Sequence, residues 1–458
     1  MRKKLLVPLA VMLTLASATV ASVALAHPLG TANFVNDPNG IIKLQAGYSY
    51  TTLAVMCTPA RSTESGVTFP LPEDPDGNVL FQAPGGEMWL LNNHELTQPR
   101  PGDFEGDVGK CHVPEQRPGD DDSDGWGSVS RLTLDKDGTT VKLVEVITTG
   151  LHNLCAAAIT PWKTYLTNEE FPFINDPELR SGWVWEIDPE TGASKRLTGM
   201  GRFSHEQEAY ASDGNWYLTD DRGDARFIYK FEPTPDARDL TTGELYGLAF
   251  NKATMTGTWI GPLNPLDPDS DMRARGFQPA VWGFVKAEGI IAQGSSDTMG
   301  GNYVVFSESG AGADPGRIWK LTHLGNDDTV RGEVLVEGDF ARLSRPDNIR
   351  FNDAGDLFIM EDHSASDFRR ATPSSNQIWV LPRHQEGADA LVLFGDTGLD
   401  EPTGPWFSFD NQLLYVSIQA DPPRVSRIIA IRHPQDYNRP YDQPLAAPPT
   451  NLLHHRRQ

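Results

Sequence analysis

The sequence predicts an all-β fold, a six-bladed β-propeller with elaborated inter-strand loops, and three observations carry that expectation. First, one short pattern recurs: a turn, then aromatic or aliphatic residues, then polar or acidic side chains. In chain order the copies are GEMWLLNNHE, WKTYLTNEE, GNWYLTDDR, GNYVVFSES, GDLFIMEDH and NQLLYVSIQ. Second, each is followed by a second short strand of alternating large apolar residues, respectively GSVSRLTL, GWVWEID, ARFIYKFEP, GRIWKLT, NQIWVLP and RVSRIIAI. Third, 42 Gly and 35 Pro supply turns throughout, and no segment sustains a 3.6-residue apolar period. The copies are spaced by roughly 50 to 90 residues, longer than the usual propeller repeat, so the spacers are expected to be elaborated loops. Six strand pairs suggest six blades of about four strands each around a central channel. A β-sandwich would not need six matched pairs.

The chain opens Met-Arg-Lys-Lys, continues in an apolar run from Leu5 to Ala26, and leaves it through Ala24-Leu25-Ala26. That is the pattern of a secretory signal peptide over residues 1–26, so residues 27–458 form the expected single β-propeller domain, with 436–458 a loose tail. MRKKLL has no adjacent arginine pair, which fits ordinary unfolded export. Cleavage removes three of the 39 Lys+Arg, leaving 36 against 62 Asp+Glu, or 36 − 62 = −26. Such a surface repels nucleic acid, and no later apolar run has spanning length, so neither nucleic acid nor membrane is an expected partner. A secreted or periplasmic monomer is expected. Three cysteines in an oxidising compartment allow at most one pair. Cys57 and Cys111 flank one early segment and are the disulfide candidates, which leaves Cys155 free.

If the first member of each pair is an inner or near-inner strand, Glu95, Glu169/Glu170, Asp220/Asp221, Glu308 and Glu361/Asp362 end near one another. Carboxylates converging on one point repel, and the arrangement persists only if cations neutralise it. Singly, each acid also reads as a solvated strand end; recurrence favours a metal site. Cys155 just ahead of the second copy adds a thiolate, which suits a transition metal better than calcium alone, although a lone Cys is more often an inert core residue.

At this point the sequence resembles the PhoX-type alkaline phosphatases, secreted six-bladed propellers. NLCAAAITPWKTYLTNEE (Asn153 to Glu170) carries the resemblance. NNHE, GRFSHEQEAY, YLTDDRGDARFIYKFEP, AEGI, RPDNIRFNDAGDLFIMED and EPTGPWFSFDNQLLYVSIQ extend it across the chain. The resemblance implies hydrolysis of phosphate monoesters, with diesters left open, at an iron and calcium cluster acting on a small phosphate ester. By motif, Cys155, Glu170, Glu206 and Glu288 would be iron-linked, and Glu95, Asp221 and Asp362 would hold calcium. Lys286 stands where the family carries an arginine aimed at phosphate; it can donate as a point charge but not as a bidentate fork. Two further departures are Leu154, where the family has asparagine, and Ala156-Ala157-Ala158 in place of a stretch containing Gly-Gly. Methyl groups there are expected to crowd the cluster.

Other signals carry less. DDDSDG (Asp120 to Gly125) begins like a calcium loop, but Arg131 stands where its bidentate Glu belongs, so it reads as a solvated acidic loop. SGAGAD (Ser309 to Asp314) precedes a strand rather than a helix and implies no phosphate cradle. The Trp and Tyr stripe reads as core between blades. Two alternatives remain open: a calcium-dependent lactonase or esterase, and a non-catalytic calcium-binding propeller that has lost the iron site.

Overall fold

The twelve quoted runs are strands, and they are the second and third of each blade. The second strands are Met88–His94, Tyr165–Glu169, Trp216–Asp220, Tyr303–Glu308, Leu357–Glu361 and Leu413–Gln419. Inside each lies an innermost strand: Pro75–Gln82, Leu154–Ile159, His205–Tyr210, Ala287–Ala292, Pro346–Phe351 and Glu401–Phe407. These six pack in cyclic order, the last against the first. The structure is a computed structural model that describes residues 34–434 except 36, 38, 64–65, 97–110, 112–124, 171, 173–180, 235–237, 293–302, 325–328, 365, 372–373 and 421–422. The expected signal peptide 1–26, the tail 436–458 and nearly all of Asp120–Gly125 lie outside the described residues.

In each blade the innermost and second strands pair antiparallel, and at the rim of the first blade Pro59–Ser62 adds a parallel pairing to Val141–Gly150. Among the described residues, hydrogen bonding gathers the strands into five large sheets and one two-stranded sheet rather than six separate ones. The difference arises at the rim, where Thr256–Ile260 pairs with Thr329–Glu337 and fuses the third and fourth blades into one nine-stranded sheet. The sixth blade takes its outer strand, Ser49–Val55, from the start of the described chain, paired with Arg427–Arg432.

A blade's inner strands lie between two neighbours and are buried on both faces, which is why their runs are nearly continuous in apolar residues instead of alternating. Val304, Val305 and Phe306 are all fully buried, as are Phe358, Ile359 and Met360. Each such side chain contributes about 1.5–3 kcal/mol by leaving water. The expected aromatic core is present: Trp216, Tyr165, Tyr217, Tyr229 and Tyr415 are among the largest fully buried side chains. No helix among the described residues is long and apolar enough to cross a membrane. Cys57 and Cys111 form the expected disulfide, and Cys155 is free and buried.

Candidate metal centre

All six innermost strands carry a β-bulge near their start, where the register skips by one residue. A bulge sets two residues against one and re-aims a side chain out of the ladder. The residue just inside it is Asp76, Cys155, Glu206, Glu288 and Asp347 in the first five blades. In the sixth it is Gly404.

Two residues before the bulge donor, four blades enter through a left-handed residue: Asp74 (φ 47°), Asn153 (φ 44°), Lys286 (φ 53°) and Arg345 (φ 51°). Its carbonyl accepts the N–H of the residue leaving the second strand. Glu95 donates to Asp74 at 2.8 Å, Glu170 to Asn153 at 3.0 Å, Ser309 to Lys286 at 2.8 Å and Asp362 to Arg345 at 3.0 Å; Asp221 donates to Ser204 at 2.9 Å. The same closure in successive blades therefore delivers Glu95, Glu170, Asp221 and Asp362 beside the bulge donors.

Adjacent acids on a strand end point opposite ways. Glu170, Asp221 and Asp362 face the centre, whereas Glu169 accepts the N–H groups of His152 and Trp183, and Glu361 those of Ser344 and Gln377. Asp220 is buried and interacts electrostatically with Arg226. Glu308 does not join the convergence expected for it: Lys252, Arg317, the Trp319 indole and the Val285 N–H all bind its carboxylate at 2.7–2.8 Å. Its blade offers Ser309 in place of an acid.

The potential ligand atoms of Asp76, Glu95 and Cys155 lie within 4.8 Å of one another, as do those of Glu206, Glu288 and Asp347. The Cys155 thiol donates to Glu170 at 3.1 Å, and the Asn153 amide donates to Glu170 at 2.5 Å and to Glu95 at 3.3 Å. Gln419 holds the other oxygen of Glu95 at 2.9 Å, Thr403 donates to Asp76 at 2.6 Å, and Asn348 to Asp347 at 3.0 Å. Lys286 lies 2.9 Å from Glu288 and 3.4 Å from Asp221.

Burial, and after it the neighbouring charges, pushes the carboxyls of Asp76, Glu170, Glu206, Glu288 and Glu401 well above the usual carboxylate range. The same causes take Asp347 to about 7 and raise the Cys155 thiol. Burial opposes the charge on Lys286, but Asp221 and Glu288 override it and hold the amine cationic.

A family profile described as Alkaline phosphatase PhoX matches residues 133–422, more than half of the chain. The chain belongs to the alkaline phosphatase PhoX family. It is a phosphoric ester hydrolase. Pseudomonas fluorescens PhoX, solved in complex with vanadate as a transition-state analogue, shares this fold at 18% identity. The match has a TM-score of 0.62 and covers 86% of this chain and 96% of that one. A putative gluconolactonase is more distant, with a TM-score of 0.44, 10% identity and coverage of 85% of this chain and 93% of that one. Virginiamycin B lyase from Staphylococcus aureus has a TM-score of 0.39, 11% identity and coverage of 84% and 98%. No curated protein matches.

In this PhoX-family chain Glu95, Cys155, Glu170, Glu206, Asp221, Lys286 and Glu288 are linked by the contacts and mutual electrostatics just described, and the Asp362 carboxylate interacts electrostatically with Lys286 and Asp221. The structure adds Asp76, Asp347 and Glu401, which sequence reasoning did not single out. Aligning the innermost strands on their bulges would have found the first two, because PDGN, LCAA, HEQE, AEGI and PDNI place a donor at one position. Glu401 comes from two residues before the bulge pair of the sixth blade, Thr403 with Ser417, and no repeat position announces it.

The departures from the family pattern find local solutions. Leu154 is fully buried in apolar core, and Asn153 one place earlier supplies the amide to Glu170. The expected crowding by alanines meets a glycine in the next blade. A Cβ on Gly77 would lie 2.4 Å from the Ala157 nitrogen and 2.8 Å from the Ala157 methyl, so Gly77 makes the room that Ala157 takes.

Asp76, Glu95, Glu170, Glu206, Asp221, Glu288, Asp347, Asp362 and Glu401 act on one another and, through the nearer four, on Cys155; among the described residues Lys286 is the ammonium that offsets them, with Arg345 acting on Asp362. Asp221 Oδ1 is buried with no hydrogen-bond partner among the described residues. Uncompensated, such a set strongly disfavours ionisation, and an oxygen-rich donor set with one thiol suits hard and borderline cations. The residues present fit a cation cluster.

Proposed function

We propose that this chain is an exported, metal-dependent phosphatase that hydrolyses phosphate monoesters, with diesters a secondary class, at an iron and calcium cluster. The observation that supports this most is that, among the described residues, six blades deliver nine carboxylates and one thiol around the Lys286 ammonium. A phosphate dianion would be repelled by those carboxylates alone. In this reading Cys155, Glu170, Glu206 and Glu288 hold iron, while Glu95, Asp221 and Asp362 hold calcium, with Asp76, Asp347 and Glu401 completing the donor set. When bound, the cations supply the positive charge that draws the phosphoryl oxygens and stabilises an in-line displacement.

The chain's own residues orient and complement that charge. Asn153, Gln419, Thr403 and Asn348 fix the carboxylates they touch, the outer-layer support that ligands need to keep their geometry. Lys286, half-buried at the second residue before Glu288, donates to a nonbridging phosphoryl oxygen. Its three N–H donors rotate freely, so it stabilises developing charge without enforcing the planar fork of an arginine, and a broad rather than strict ester preference follows.

The signal peptide 1–26 takes the chain out of the cytoplasm, and residues 27–458 act there as a monomer on a small phosphate ester. The test is elemental analysis of protein purified from its own medium or periplasm, with p-nitrophenyl phosphate hydrolysis measured before and after chelation. Iron and calcium with chelator-sensitive turnover are expected. Calcium alone with no turnover would overturn the reading. N-terminal sequencing of the same sample should begin at His27.

A further inference from the structure

We propose that Arg345 is a positioning residue for Lys286, acting through the loop Ser309–Pro315; this rests on Lys286 being the group that meets phosphate. Lys286 and Arg345 occupy the same place in adjacent blades, two residues before Glu288 and Asp347, and both are left-handed. Their side chains go different ways. Lys286 reaches the acids of the site, whereas the Arg345 guanidinium is buried and donates to the carbonyls of Ser309 at 2.9 Å, Gly312 at 3.0 Å and Asp314, and to the Asp367 carboxylate at 2.8 Å. The Arg345 amide N–H donates to Pro315 at 2.7 Å, so the loop closes on this one residue from both backbone and side chain.

The loop in turn holds Lys286. Ser309 N–H donates to the Lys286 carbonyl at 2.8 Å, and Gly310 N–H to the Val285 carbonyl at 3.1 Å. A side-chain-bearing residue keeps a left-handed conformation when its surroundings over-determine it. Ser309 is bonded to Lys286 through its N–H and to Arg345 through its C=O, so one residue links the clamp to the cation. A planar fork serves three carbonyls and a carboxylate at once; an ammonium of the same charge does not. Arg345→Lys therefore removes geometry while keeping charge.

The experiment is a double-mutant cycle on the full-length, metal-loaded enzyme with Lys286→Met, Arg345→Lys and the double variant. It reads KM and kcat for p-nitrophenyl phosphate, inhibition by inorganic phosphate, and bound iron and calcium. Lys286→Met is expected to raise KM and weaken phosphate inhibition about 10-fold, the loss of one charge-assisted hydrogen bond. Arg345→Lys should move both in the same direction by about 5-fold with metal content unchanged, and the double variant should match Lys286→Met alone. If the two effects multiply, or Arg345→Lys changes neither constant, Arg345 does not act through Lys286. If Lys286→Met itself changes neither constant, the role of Lys286 falls and this inference with it. Should Arg345→Lys fail to fold, Asp367→Asn, which strips the clamp of its counter-charge, replaces it in the same cycle and is read the same way.

Discussion

Cys155 and Glu206 show how a single position carries the chemistry while the fold rests elsewhere. Both project from bulges into the acid cluster, and the apolar area that holds the blades together lies in the sheets. Cys155→Ser and Glu206→Gln should each lower hydrolysis by at least about 100-fold, beyond the effect typical of a residue that merely supports a ligand, and should lose bound metal. Far-UV circular dichroism at ambient temperature should stay native; unfolding there would contradict this division. The cluster also makes a pH prediction for the metal-stripped protein. Folding raises the pKa of Asp76, Glu170, Glu206, Glu288 and Glu401, chiefly by burial, and takes Asp347 to about 7. A raised folded-state pKa means that the native state binds more protons than the unfolded chain. Its stabilising contribution is therefore full below the unfolded value of about 4 and is lost as pH rises through the folded value. Chelator-treated protein should melt lower at pH 8 than at pH 5, and adding metal should raise the melting temperature most at pH 8. An equal metal effect at both pH values would count against cation neutralisation.

Elements convert these positions into a site by repeating one local device. A left-handed entry, a bulge and the closure onto the second strand recur in blade after blade, and polar side chains tie neighbouring blades where the bulges turn carbonyls sideways. Asn168 donates to Ala156 of its own blade at 3.0 Å and to Glu206 of the next at 2.7 Å, and Ser307 donates to Gly289 and Asp347 in the same manner. The innermost strands approach so closely that Gly77→Ala, whose methyl would lie 2.4 Å from the Ala157 nitrogen, should destabilise the protein by about 2–3 kcal/mol through overpacking against backbone. Thermal or urea denaturation measures it; a change under about 0.5 kcal/mol, the scale of a surface substitution, would show that the blades can separate there. At this scale the sequence was partly legible. The second and third strands were visible because their two-sided burial writes apolar runs into the chain. Five of the innermost strands, shorter in apolar character and broken by bulges, entered only within blocks of family resemblance, and Pro75–Gln82 lay in none of them, so Asp76 and Asp347 were not singled out.

At the scale of the molecule the ring closes by joining its ends. The sixth blade completes itself with Ser49–Val55, a strand more than 350 residues away in sequence from its partner Arg427–Arg432. Deleting residues 27–56 from the mature chain should strip the outer strand Ser49–Val55 from the sixth blade and Lys43–Gln45 from the rim of the fifth, and replace a single cooperative thermal transition with a broad one at lower temperature. Retention of one sharp transition would show that closure is dispensable. The all-β class, the repeat and the disulfide candidates were legible in the chain alone, because strand period, turn chemistry and cysteine number are local properties, whereas the eight site residues it proposed came through motifs of the resemblance. The folded chain was needed to show how Glu169 and Glu361 turn to backbone N–H groups, that Glu308 is bound by Lys252 and Arg317, that Asp76, Asp347 and Glu401 join the cluster, and that two blades share a sheet. Those outcomes depend on bulges and on contacts between strands far apart in the chain, which no single stretch of sequence encodes.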